Sequence, residues 1–93
     1  MANWSFLTNH ARVLLAIARD PGLRLRDIAA AVDITERRAV AIVSDLVDAG
    51  YVVKQRDGRR NLYEVRSNLP LAEPGIRELP IGEVLALLSG RSG

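Results

Sequence analysis

The stretch from Ile28 to Val65, IAAAVDITERRAVAIVSDLVDAGYVVKQRDGRRNLYEV, constrains the fold more than any other part of the chain. Two short runs of helical periodicity meet across a turn of only a few residues, and two runs rich in β-formers then flank a glycine-containing turn. Ala29, Ala30 and Ala31 give the first of these helices a thin profile, so another helix can cross it closely, with Ile28 and Val32 as its core anchors.

The neighbouring residues supply the boundaries. Thr8 or Asn9 can cap a first helix running towards Asp20, with Ala11, Leu14, Leu15 and Ala18 at helical spacing, and Pro21-Gly22 ends it. Leu23 and Leu25 alternate with Arg24 and Arg26, which predicts a short extended segment that could pair with the hairpin before a second helix starts near Arg26. Asp33 ends that helix, Ile34 turns inward, and Thr35 caps a third helix with Glu36 in its first turn. At about 100° per residue, Ala39, Ile42, Val43 and Leu46 share one face, and Arg37, Ala41, Ser44 and Asp48 lie opposite. Gly50 supplies a left-handed position, Tyr51-Val52-Val53 opens a strand, Asp57-Gly58 marks the hairpin turn, and Asn61 to Val65 returns.

The pattern predicts a mainly α fold with a small β-hairpin: a winged helix-turn-helix, made of a three-helix core plus wing, in residues 1–66. Pro70, Pro74, Gly75 and Pro80 interrupt any regular pattern and predict an irregular arm over 67–80. A short C-terminal helix over 81–89 carries Ile81, Val84, Leu85 and Leu88 on one side, and at about two turns it must dock on its own chain or on a dimer partner. Trp4, Phe6 and Leu7 either cover the core of the same chain or form a dimer surface with Ile81 to Leu88.

A 93-residue chain that is 48% hydrophobic makes one small domain. No run approaches the roughly 18 apolar residues of a membrane span, and no charged-then-apolar leader follows Met1, so a cytoplasmic protein is expected. The absence of cysteine excludes disulfides, thiolate metal sites and thiol switches. The net charge of +2 says little by itself, but its distribution says more. From Lys54 to Arg66, five basic residues (Lys54, Arg56, Arg59, Arg60, Arg66) face two acidic ones (Asp57, Glu64), so the hairpin holds the basicity that a phosphate backbone would attract.

The segment Thr8 to Val65 resembles the winged-helix DNA-binding domain of bacterial regulators of the MarR and ArsR type. Counted from the turn at Asp33, it has a small residue four before (Ala29) and apolar residues one after (Ile34), six after (Ala39) and nine after (Ile42). The segments DLVDAGYV and GRRNLYEV complete the match. The resemblance implies a third helix in the major groove and a wing along the backbone or minor groove, from a symmetric homodimer. Two departures stand out: Asp33 replaces the common turn glycine, and Val40 and Ala41 occupy the outer stripe where polar side chains would read more base edges.

The expected function is therefore sequence-dependent binding of double-stranded DNA by a small transcriptional regulator. Thr35, Arg37, Arg38, Ala41 and Ser44 would face bases or nearby phosphates, with Val40 or Ala41 able to touch a thymine methyl. Lys54, Arg56, Arg59 and Arg60 would hold the backbone. The plainer reading of the wing is a solvated turn guarding a sheet edge, and Arg37 and Arg38 could be ordinary surface residues beside Glu36. Arg24 and Arg26 could clamp phosphates or only aid solubility. The alternative function is a protein-interaction module on the same scaffold; a weaker one, RNA or single-strand binding, would need Tyr51 or Tyr63 exposed. His10, the sole histidine, reads as a surface or capping residue, and with no nucleophile-base pair or glycine-rich phosphate loop an enzyme is not expected. No cofactor, metal or small-molecule effector is implied.

Overall fold

In a computed structural model, which describes residues 4–71, 73–75 and 77–90, helix α1 (Asn9–Arg19) begins where the Thr8 hydroxyl accepts from the Ala11 N–H at 3.1 Å. It ends at Asp20, whose carboxylate accepts from the Gly22 N–H at 3.1 Å and so builds the turn through Pro21-Gly22. Residues 1–3 of the first segment and Ala72 and Ile76 of the arm lie outside the described residues, as do the last three.

Helix α2 (Leu25–Val32) starts one residue earlier than the sequence pattern predicts, and among the described residues no strand precedes it. The backbone at Arg24 is already committed to the helix: its carbonyl accepts from Asp27 and Ile28 at 2.9 Å each, and its N–H donates to the Asp27 carboxylate at 3.4 Å. That carboxylate is half of a capping box, the only half an arginine allows because its side chain has no acceptor. Leu23 and Leu25 pack against the core as helix-entry residues rather than as strand.

Asp33 takes the left-handed conformation at φ 63° and ψ 50°, and the next N–H, of Ile34, returns to the Ala29 carbonyl at 3.0 Å. The Thr35 hydroxyl then accepts from the Arg38 N–H at 3.0 Å and opens α3 (Glu36–Asp48). The three helices close on Val13, Ile17, Ile28 and Ile42, all but fully buried, with Ala29 and Ala39 buried where the helices cross. Each large aliphatic group so buried contributes about 1.5–3 kcal/mol.

Strands β1 (Val52–Asp57) and β2 (Arg60–Val65) pair antiparallel, from Val52 opposite Val65 to Asp57 opposite Arg60. The loop is thus Gly58-Arg59, one residue beyond the Asp57-Gly58 that the sequence pattern predicts. Gly58 has φ 63° and Arg59 a negative φ, the type II′ pattern that needs glycine first and matches the right-handed twist of the strands. Val52 and Tyr63 lie on the same pleat face and enter the core.

Where the prolines predict an irregular arm, the chain folds back as a two-residue ladder, β3 (Pro70–Leu71) against β4 (Leu79–Pro80). Proline is tolerated because such short strands need few N–H donors. Helix α4 (Ile81–Leu88) follows, and its N-terminal N–H groups find carbonyls in the arm: Ile81 donates to Leu69 at 2.7 Å and Gly82 to Ser67 at 2.9 Å. Ile81 and Leu85 are buried in the core that the other helices share. A Cβ built on Gly82 would lie 2.6 Å from the Ser67 Cβ, so the close approach of α4 to the arm requires the glycine. The Tyr51 hydroxyl donates to the Pro70 carbonyl at 2.8 Å and ties the arm to the base of the hairpin.

Candidate nucleic-acid interface

The burial of Ala39, Ile42, Val43 and Leu46 fixes the rotation of α3. By the helical period, Arg37, Ala41, Ser44 and Asp48 then point away from the core, and all four are exposed. Thr35 is exposed at the start of the helix; its oxygen caps Arg38, while its O–H remains a free donor. Arg38 lies on the flank that faces α1, in line with Asp45 about two turns on. Asp45 in turn sits 2.8 Å from the His10 ring, Oδ2 to Nε2, a link between α1 and α3.

The other flank of α3 meets the wing. Val40, Ser44 and Val47, with Leu25 of α2, Lys54 of β1 and the rim of Tyr63, line a shallow groove of about 300 Å³. Ser44 and Lys54, apart in sequence, are thereby brought together. Val40 is 49% exposed and Ala41 is also exposed, so the middle of the outer stripe is apolar. The later part of α3 carries Asp48 on this stripe and Asp45 beside it, which would repel phosphate, so the N-terminal half with Arg37 is the part suited to a polyanion.

The wing arginines do not act as one tip. Arg59 stands in the turn itself. Arg56 folds over that turn, its Nε donating to the Gly58 carbonyl at 3.2 Å. Arg60 donates from Nη2 to the carbonyl of Gly22, in the loop between α1 and α2. Arg59, Arg60, Asn61 and Tyr63 then form a second cleft, of about 380 Å³, with Arg24 and Leu25 at the start of α2. Arg24 is brought to the wing in this way, and Arg26 does not line that cleft.

Sequence reasoning missed the His10–Asp45 link, the apolar pair Leu25 and Val47 in the helix-wing groove, and the docking of Arg60 on Gly22. Each joins residues far apart in the chain, and no local pattern signals them. Burial pushes the Tyr63 phenol above its ordinary pKa, because desolvation disfavours its charged form. Among the described residues, no group of three or more His, Cys, Asp or Glu side chains could hold a metal ion, and no helix is long and apolar enough to cross a membrane.

The model of the MarR family matches residues 5–60, from before α1 through β1 to the turn of the wing. The chain belongs to the MarR family. This MarR-family chain therefore carries the winged helix of a family of DNA-binding transcriptional regulators, not of enzymes. The match ends at Arg60, the first residue of β2, so the rest of the return strand, the arm and α4 of this MarR-family chain lie beyond it. No curated protein matches the chain.

Proposed function

We propose that this MarR-family chain is a small cytoplasmic transcriptional regulator that binds duplex DNA as a homodimer, with α3 in the major groove and the wing on the backbone or minor groove. Thr35, Arg37, Arg38, Ala41 and Ser44 face bases or nearby phosphates, and Lys54, Arg56, Arg59 and Arg60 hold the backbone. The observation that carries the reading is charge without partners. Among the described residues, His10–Asp45 is the one pair of groups able to bear opposite charges within 4.0 Å, so the arginines of α3 and the wing are exposed and free of carboxylates. The apolar Val40–Ala41 surface leaves few hydrogen bonds to base edges, which makes backbone contacts dominant and specificity modest. Phe6 at 89% and Leu87 at 79% exposure, near the two ends of the chain, supply apolar surface that supports a pair.

Selecting bound sequences from random duplexes and titrating salt on the selected one tests the proposal. Three or four wing contacts per subunit give a log-log slope of about −3 per subunit. A flat salt response sinks the DNA reading, and an asymmetric selected motif sinks the symmetric pair. The exposed Val40, with the apolar groove beside it, favours a second reading, a protein-interaction module. A protein partner held at high salt, with no shift of duplex DNA, would establish it.

A further inference from the structure

Helix α1 turns one row of side chains, Arg12, Leu15, Ala16 and Arg19, towards a groove of about 480 Å³ that it shares with the end of α2 and the loop before that helix. Leu15, Leu23 and Val32 pack against the core from the floor of this groove, and the small side chains of Ala16 and Ala31 leave it its depth. None of the residues placed on duplex DNA above lines the groove, so a molecule seated in it leaves the recognition helix and the wing free.

The rim is basic at both ends. Arg12 and Arg19 stand two turns apart, about 10 Å along the helix axis, and among the described residues neither has a carboxylate within ion-pair distance. Arg12 donates from Nη2 to the hydroxyl of Ser5, seven residues before it, so its guanidinium is drawn to the N-terminal end of α1 and away from Arg19. The acid in the lining, Asp20, is held in the turn after α1, where its carboxylate accepts from the Gly22 N–H at 3.1 Å. Two positive charges kept apart over an apolar floor match two carboxylates at the same spacing with aliphatic groups between them, and one small carboxylate would satisfy only one end. A helix has that geometry. Carboxylates at i and i+7 lie two turns apart, and the side chains at i+3 and i+4 project between them.

We infer that the groove between α1 and α2 is a docking site for a partner protein, which it takes through an acidic amphipathic helix. Leucine-like side chains of that helix lie on Leu15, Leu23 and Val32, and a carboxylate at each end of the row meets Arg12 and Arg19. The site does not depend on DNA binding, and one copy of the chain can hold duplex and partner together.

The probe is a synthetic helix-forming peptide of about fifteen residues, with glutamates at both ends of one helical row and leucines at the two positions between them. It is titrated into the full chain, with contacts followed by amide NMR and affinity by fluorescence anisotropy. Shifts should centre on Arg12 to Arg19, Leu23, Ala31 and Val32. Arg12→Glu and Arg19→Glu should each weaken binding by about fivefold, and a peptide with lysines in place of the glutamates should regain it on the double variant. Glutamines in place of the glutamates test the same pairs on the wild-type chain, so the test stands even if a variant fails to fold; an unchanged affinity refutes the pairing. Equal binding of a scrambled peptide of the same composition, or shifts centred on the wing arginines, overturns the site, because charge alone would then account for the binding. No binding at about 1 mM peptide overturns it as well. Sedimentation of the chain alone checks the other occupant: self-association abolished by Arg19→Glu would put a second copy in the groove and overturn the partner.

Discussion

Tyr63 is the residue at which the wing and the helical core meet, buried through its ring and bordering both clefts. Its phenol is held neutral by desolvation, so its pKa in the folded chain lies above the ordinary value of about 10. Below that pH the phenol is neutral in both states and its burial is fully effective. As pH rises further, the unfolded chain ionises first, and stability falls until the folded-state pKa is passed. Urea unfolding from pH 8 to 11 should show the wild type losing more stability above pH 10 than Tyr63→Phe does; parallel curves would contradict it. At this scale the sequence was informative where the cause is local. Asp33 is an example, because aspartate tolerates a left-handed conformation and hydrophobic residues flank it at the right spacing. Arg24 was not, since nothing in LRLRD distinguishes the arginine beside the wing from the one two residues on.

At the scale of elements, α3 is specified twice, by the Thr35 cap and by the period of Ala39, Ile42, Val43 and Leu46. Thr35→Ala removes the acceptor for the Arg38 N–H and should cost about 1 kcal/mol, whereas Thr35→Ser should keep most of it. Equal stability of both variants in denaturant unfolding would show that the cap contributes nothing. The hairpin was legible from its β-formers and glycine, but its register moved by one residue. The loop is read from which N–H and C=O groups pair, and DG and GR are both acceptable turn pairs. The extended segment before α2 failed for a related reason. Alternation of leucine and arginine over four residues fits a strand, but it also fits the first turn of a helix with Leu25 and Ile28 inward.

At the scale of the whole molecule, contacts that bridge long intervals of sequence decide the arrangement. Arg60 reaches Gly22 across 38 positions and His10 reaches Asp45 across 35, distances over which periodicity carries no information. The C-terminal helix belongs to the same set. Its amphipathic face was evident in the sequence, but the surface receiving it was not. Leu85 is buried among core residues of the other helices, so Leu85→Ala should cost about 2–5 kcal/mol and lower the midpoint of a single unfolding transition that includes α1 to α3. A loss below about 0.5 kcal/mol, or a separate early transition, would show that α4 is a detachable appendage.

The contact of Gly82 with Ser67 bears on how this chain can vary. Every L-residue with a side chain would place a carbon inside the van der Waals envelope of Ser67, so α4 can lie on its own arm only while position 82 has none. The position is therefore a one-letter marker of architecture. Relatives that keep glycine there, two residues after the proline that precedes the helix, can fold the C-terminal helix inward. A bulkier residue there would drive it off the arm, leaving Ile81 and Leu85 to find cover elsewhere.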